Sequence, residues 1–241
     1  MNKLNLSLWR CHRLSYCAPS GLSKQLLSLG GKFELRINLP KLYPITDARL
    51  SGLSHAEQVR RLAAGGATFI QLREKHLSPR EFYNQAKEAL LVARSCGVRL
   101  IINDRADIAL ALKADGVHLG QDDLPPQAAR ELLGERAIIG FSTHNVEQAI
   151  EAARLPVDYI AIGPIFETKS KENPDAVVGL DRLRRVRQAV GEIPLVAIGG
   201  IKRENIQETL AAGADAVAVI SLLLATQPGI EDLTREILAG L

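Results

Sequence analysis

Two carboxylates, Asp104 and Asp123, each follow a strand in LIINDRADIALALKADGVHLGQDD, Leu100 to Asp123, a segment that reads as a strand, a helix and a second strand. Leu100–Ile102 is a short apolar run with β-branched residues, which predicts a buried parallel strand, and Gly116–Leu119 predicts a second. Between them Ile108, Leu110, Ala111 and Leu112 fall at helical spacing. Asp104 follows the first strand and Asp123 lies just past the second. In parallel βαβ units these strand ends share one face of the sheet, where sites are built. Two carboxylates there, with Asn103 and Gln121 beside them, suit a hard divalent cation such as Mg²⁺, whose shell a substrate phosphate completes. A plainer reading has Asp104 capping its helix and Asp123 opening a turn before Pro125–Pro126. Taken alone, the plainer reading is the stronger; the other strand ends reverse it.

The second strand ends in Gln71-Leu72-Arg73-Glu74-Lys75. Alternation puts Gln71, Arg73 and Lys75 on one side, with Leu72 and Glu74 on the other. Two cations beside two carboxylates make a place for a metal-bridged phosphate; the alternative is a surface cluster of ion pairs. The fifth strand ends in Gly140-Phe141-Ser142-Thr143-His144, whose hydroxyls either bind a polar substrate group or cap the helix near Asn145. For His144, capping or packing weighs at least as much as acid–base work. The sixth runs into a polar stretch from Gly163 to Pro174 with two lysines, the longest loop of the series, which reads as a lid on the rim or as plain solvated chain. Gly199-Gly200-Ile201 and Ile220-Ser221 end the last two strands. Barrels often bind phosphate there with backbone N–H groups, and glycine permits the close approach.

The elements that must position these residues alternate regularly from Lys41 onward. Strands are predicted at Leu42–Ile45, Thr68–Leu72, Arg99–Ile102, Gly116–Leu119, Ile138–Phe141, Tyr159–Ile162, Leu195–Ile198 and Ala216–Val219. Helices are predicted at Ser54–Ala64, Pro79–Ser95, Ala106–Lys113, Pro126–Leu133, Val146–Arg154, Leu180–Val190 and Arg203–Ala212, with a last helical region over Leu222–Leu241. A weak repeat marks the strand starts: Gly66-Ala67-Thr68, Ala114-Asp115-Gly116, Val157-Asp158-Tyr159 and Gly213-Ala214-Asp215. Eight such units predict one α/β domain, a (β/α)₈ TIM barrel over residues 41–241. A doubly wound open sheet is the alternative, but it usually has fewer strands, and no GxGxxG follows the first one.

The 241 residues carry a net charge of only +3, which does not indicate a nucleic-acid surface, and the apolar runs fall far short of a membrane span. Of three cysteines, Cys11 and Cys17 lie in the N-terminal stretch and only Cys96 in the body, a pattern that fits a reducing, cytoplasmic compartment. Residues 1–40 are rich in Leu, Ser, Lys and Arg, with Glu34 the first acidic residue. The reading favoured is a dispensable or disordered extension; a transit peptide, or translation from a start chosen too far upstream, is the alternative.

In this order, QLREK, ND, HLGQDD, GxSTH, GPIFxTxSK, GGI and VIS closely resemble the thiamine phosphate synthase family, from about Leu42 to Ser221. The family joins 4-amino-2-methyl-5-hydroxymethylpyrimidine diphosphate to thiazole phosphate, releasing pyrophosphate. The resemblance implies that Gln71, Arg73, Lys75, Asn103, Ser142 and Lys171 bind the pyrimidine diphosphate. It implies Mg²⁺ on Asp104 and Asp123, the thiazole on Thr168 and Ser170, and the thiazole phosphate on Gly200, Ile220 and Ser221. Beyond electrostatic stabilisation by Arg73, Lys75, Lys171 and the metal, no catalytic group is implied. Glu167 stands where the family usually has Pro, and Ser170 where it usually has Thr. Two alternatives are a thiazole tautomerase of the same superfamily, with His144 as its acid–base group, and a non-catalytic sensor of thiamine precursors. The expected partners are small molecules only.

Overall fold

The computed structural model describes residues 37–168, 176–225 and 229–241. Eight strands, β1 (Leu42–Thr46), β2 (Phe69–Leu72), β3 (Arg99–Asn103), β4 (Gly116–Leu119), β5 (Ile138–Thr143), β6 (Tyr159–Ile162), β7 (Leu195–Ile198) and β8 (Ala216–Val219), pair in sequence order into a closed barrel. Each pair is parallel, and β8 closes on β1 with Tyr43 opposite Ala218. The helices are α1 (Ala48–Ser51), α2 (His55–Ala64), α3 (Pro79–Ser95), α4 (Ala106–Leu112), α5 (Pro126–Leu133), α6 (Val146–Ala152), α7 (Gly179–Val190), α8 (Ile206–Ala211), α9 (Ser221–Leu224) and α10 (Ile230–Ala239). This is the (β/α)₈ barrel that the alternation predicts. Among the described residues, no helix is long and apolar enough to cross a membrane.

Local chemistry sets the helix starts. Ser78 and Glu81 form a reciprocal capping box ahead of Pro79, the first residue of α3, while Ser54 and Asn145 cap α2 and α6. Three details depart from the sequence reading. Helix α1 was not predicted, because four residues show no period. The last helical region is two helices, α9 and α10. In α4 the buried face is Ala106, Ile108, Ala109 and Leu112, whereas Leu110 is 45% exposed and Ala111 is also exposed.

The repeat at the strand starts is a fastener. Asp158 Oδ2, just before β6, accepts hydrogen bonds from Ile139 N–H of β5 and from Arg130 Nη2 of α5, both at 2.7 Å. Two units on, Asp215 Oδ2 takes Leu195 N–H at 2.8 Å and Arg187 Nη2 at 2.6 Å. Asp115 Oδ2 takes Leu100 N–H at 2.8 Å, and Arg94 of α3 donates to the Leu112 and Lys113 carbonyls nearby. Each arginine thus ties the end of one helix to the following helix–strand turn at the N-terminal face of the barrel, away from the site. Charge-assisted bonds of this kind are stronger than neutral ones.

Two layers of apolar packing result. The larger lies between sheet and helices; the smaller fills the barrel with Tyr43, Phe69, Ile101, Tyr159, Ala161, Val196, Ala216 and Ala218. Tyr43, Phe69 and Tyr159 meet edge to face, with centroids 4.8, 5.9 and 6.4 Å apart. Small residues make room for them: a Cβ on Gly140 would lie 2.1 Å from Tyr159 Cζ. Leu39 and Ile37 close the bottom of this core, and the Arg99 guanidinium lies 5.2 Å from the centre of the Phe69 ring.

Candidate active site

The C-terminal strand ends surround a cavity of about 560 Å³. Gln71, Arg73, Lys75, Asn103, Asp104, Asp123, Ser142, Thr168, Gly200, Ile220 and Ser221 all line it. Ser170 and Lys171 lie outside the described residues. Alternation within β2 turns Gln71 inward, and Arg73 and Lys75 follow on the same side, as the motif requires.

Glu74, the carboxylate between the two cations, faces the other way and organises their loop. Its Oε1 accepts the N–H groups of Lys75, His76 and Leu77 at 2.8, 2.7 and 3.3 Å, and its Oε2 meets His55 Nε2 at 3.3 Å. His55 Nδ1 in turn meets Thr46 Oγ1 at 2.8 Å, and that oxygen accepts Arg73 N–H at 3.3 Å. Burial lowers the pKa of His55. Burial would raise that of Glu74, but bonds from His76, His55 and Lys75 outweigh it and hold the carboxyl low. The side chains of Arg73 and Lys75 are left to the rim, where Arg73 Nη1 sits 3.4 Å from Asp47 Oδ2.

Asp104 does not cap α4. The residue in that place is Arg105, which makes no side-chain cap bond, and Asp104 has a left-handed backbone with φ of 62°. Its N–H donates to the His118 carbonyl at 2.8 Å and its carboxylate pairs with Lys75 Nζ. Asp123 does not open a turn before the prolines; it closes the one that starts at Gly120, whose N–H its Oδ2 accepts at 2.6 Å. Burial pushes the Asp123 carboxyl up, Gly120 draws it back, and the charge and hydrogen bond of Asp104 raise it again. The two carboxylates therefore face one another in a half-buried place. Beside them Asn103 Nδ2 is buried with no hydrogen-bond partner. Among the described residues, no group of three or more His, Cys, Asp or Glu is placed to hold a metal.

On the fifth strand the hydroxyls do not cap α6; Asn145 does. Ser142 Oγ is 2.9 Å from His118 Nε2, and Thr143 Oγ1 donates to the Ala161 carbonyl at 2.9 Å. His144 Nδ1 is 2.9 Å from the Gly163 carbonyl oxygen. Across the cavity, Gly199 and Gly200 have φ of 99° and 66°. A Cβ on Gly200 would lie 2.4 Å from the Glu167 carbonyl oxygen, so this glycine seats the β6 loop as well as opening the rim. Residues that sequence reasoning missed are Tyr43 and His118, which line the cavity, and Tyr159, buried behind them; period-2 alternation, which turns all three inward, was the signal for them.

A family model described as thiamine monophosphate synthase matches residues 42–223. A thiamine-phosphate synthase of Koribacter versatilis is 52% identical over 195 residues, covering 78% of this chain and 90% of its own length. One from Chloroflexus aurantiacus is 48% identical over 186 residues, covering 77% and 85%. The solved thiamine phosphate pyrophosphorylase of Pyrococcus furiosus superposes with a TM-score of 0.74 at 38% identity, covering 83% of this chain and 96% of that one.

Proposed function

The chain belongs to the thiamine monophosphate synthase family and is a transferase of thiamine biosynthesis, and on that premise we propose that its cavity joins 4-amino-2-methyl-5-hydroxymethylpyrimidine diphosphate to thiazole phosphate. What carries this is the division of one cavity: Arg73, Lys75, Asp104 and Asp123 converge on one side, and the glycines of the β7 end face them from the other. The first side suits a diphosphate, the second a phosphate bound by backbone N–H groups of Gly200 and Ser221, with Ile220 between the strand and Ser221. Thr168 and Ser170 would contact the thiazole.

The bond from the pyrimidine methylene carbon to the diphosphate oxygen breaks, and the electron pair leaves with the diphosphate. The electron-rich aminopyrimidine stabilises the cation that remains, and the thiazole nitrogen lone pair then forms the new C–N bond. The chain's part is to hold both substrates in line and to neutralise the leaving group. Arg73, Lys75 and, by resemblance, Lys171 do the second, while the unpartnered Asn103 amide offers a donor to a substrate oxygen. The donor set would suit Mg²⁺: Asp104 and Asp123 are hard oxygen donors on one cavity, and a bound cation would offset the repulsion and burial that raise the Asp123 carboxyl. Asp104 and Asp123 would hold it, and when bound it supplies positive charge to the diphosphate. Small-molecule substrates and the cysteine pattern favour a cytoplasmic setting.

Purified chain mixed with both substrates and Mg²⁺ should release pyrophosphate and thiamine phosphate in equal amounts, and neither when one substrate is left out. Thiazole isomerisation without pyrophosphate would replace this reading with the tautomerase, and binding without turnover would replace it with a sensor.

A further inference from the structure

Thr46, His55 and Glu74 stand on the helix side of the barrel wall, behind Arg73 and Lys75. Alternation sends Ile45 to the cavity and Thr46 away from it, and it separates Arg73 from Glu74 in the same way. Thr46 and His55 are fully buried, and the Glu74 side chain is 7% exposed. His55 is the first residue of α2, after its cap Ser54, and it bridges the other two. Its Nδ1 lies 2.8 Å from Thr46 Oγ1 and its Nε2 3.3 Å from Glu74 Oε2. Thr46 holds the N–H of Arg73, and Glu74 holds those of Lys75, His76 and Leu77. Four backbone N–H groups around the two cations thus converge on one buried histidine.

The proton order is fixed at both ends. A backbone N–H can only donate, so Thr46 Oγ1 accepts from Arg73. Burial works against charge on Glu74, but the bonds from His76, His55 and Lys75 outweigh it and keep the carboxyl ionised. An ionised carboxylate can only accept, so His55 Nε2 donates to it. Burial also lowers the pKa of His55, which leaves the ring neutral and its Nδ1 an acceptor for the one proton of Thr46. The order contains no rotatable amide and cannot invert as a unit. Burying a carboxylate against an imidazole stabilises a fold no better than apolar packing of the same volume does. What the arrangement does fix is the backbone from which both cations project.

We propose that Thr46, His55 and Glu74 are positioning residues that set the Arg73–Lys75 backbone and so preorganise the two cations for a diphosphate. The inference rests on the diphosphate reading of that side of the cavity. Charge grows on the diphosphate as it leaves, so a cation held slightly out of place serves that charge less well.

Thr46→Val is close to isosteric and removes the hydroxyl that joins Arg73 N–H to His55, whereas Thr46→Ser keeps it. Calorimetric titration of the full chain with magnesium pyrophosphate reads the diphosphate side without any pyrimidine. The pyrophosphate Kd and the KM for the pyrimidine diphosphate should both rise about tenfold in Thr46→Val, less than the ~10²-fold that a misplacement of about 1 Å costs. Thr46→Ser should restore both, and KM for the thiazole phosphate should not move in either. Glu74→Gln, whose single amide oxygen cannot serve the loop and His55 together, should show the same split and keeps the test open if Thr46→Val does not fold. Unchanged pyrophosphate affinity in the folded variants, or an equal rise in both KM values, overturns the positioning role. Nitrogen-15 NMR of the wild type should find His55 neutral and protonated on Nε2; a charged ring or a proton on Nδ1 overturns the order of the bonds. The expected loss of pyrophosphate affinity in a chain that makes no thiamine phosphate overturns the synthase reading, while the positioning role stands.

Discussion

Gly200→Ala places a methyl group where two separate costs apply, and Gly97 separates them. Both glycines have positive φ, 66° at Gly200 and 68° at Gly97. A left-handed backbone costs an L-residue about 1–2 kcal/mol. At Gly97 a Cβ would meet nothing within 4 Å, so Gly97→Ala carries that cost alone. At Gly200 the Cβ would lie 2.4 Å from the Glu167 carbonyl oxygen and 2.8 Å from Phe166 C, both backbone atoms that have no rotamer to move to. Overpacking of this kind adds roughly 1–3 kcal/mol. In a chain of this size each kcal/mol lowers Tm by roughly 2–4 °C. Gly97→Ala should therefore melt a few degrees early with normal kinetics, and Gly200→Ala should melt about twice as far below the wild type. Relief of the clash moves the chain at Glu167 and Thr168, so KM for the thiazole phosphate should rise more than KM for the pyrimidine diphosphate. Thermal melts and the two KM values on all three proteins are the assay. Equal melting losses with unchanged KM values would refute the account of this loop.

Asp158→Ala removes the acceptor of Ile139 N–H and the one carboxylate among the acceptors of Arg130, which keeps its backbone carbonyls; it should cost about 2 kcal/mol in urea unfolding, allowing for its partial exposure, with kcat unchanged. His118 has a folded pKa of about 4, below its ordinary 6.5, so the unfolded chain takes up the proton first as pH falls. Its contribution is complete above pH 6.5 and is lost toward pH 4, about 2 kcal/mol by pH 5; urea midpoints at pH 7 and 5 should differ less in His118→Asn than in the wild type. A chain starting at Ile37 should melt and turn over as the full chain does, whereas one starting at Lys41 should melt early, because Leu39 is only 7% exposed in the barrel floor; equal melts of the two would show that Leu39 contributes nothing.

The strands were legible because parallel strands are continuous apolar runs, and the ranges read for β4, β6, β7 and β8 are those observed. Helix α4 was harder: in LALK both faces of a short helix carry apolar residues, and period alone could not reject Leu110. The repeat at the strand starts was read as Gly and Ala ending helices, yet its work is done by Asp115, Asp158 and Asp215, and the arginine partners of the last two lie 28 residues away. At the site, charge at the ends of β2, β3 and β4 and the glycines at the end of β7 were legible in the sequence, Thr168 and Ile220 followed from the family resemblance, and all the described candidates line one cavity. The choice between metal ligand and helix cap for Asp104 needed its backbone conformation, which spacing does not carry. The hydroxyl contact inside the barrel needed distance in space: Tyr43 and Tyr159 are 116 residues apart. His144, the residue a tautomerase would use, has its Nδ1 against the Gly163 carbonyl, and the Koribacter versatilis and Chloroflexus aurantiacus relatives are named thiamine-phosphate synthases.

Pyrophosphate release measured against Mg²⁺ concentration, for the wild type, Asp104→Asn and Asp123→Asn, tests most directly whether the facing carboxylates serve the leaving diphosphate. Asparagine keeps the size of each side chain and tolerates the left-handed backbone of Asp104, so the melts should match the wild type. Each variant should lose about 10²-fold or more in kcat, the scale of removing one preorganised electrostatic group, and raised Mg²⁺ should restore part of it. Near-normal turnover of both variants at low Mg²⁺ would contradict the metal site and the charge-neutralising mechanism built on it.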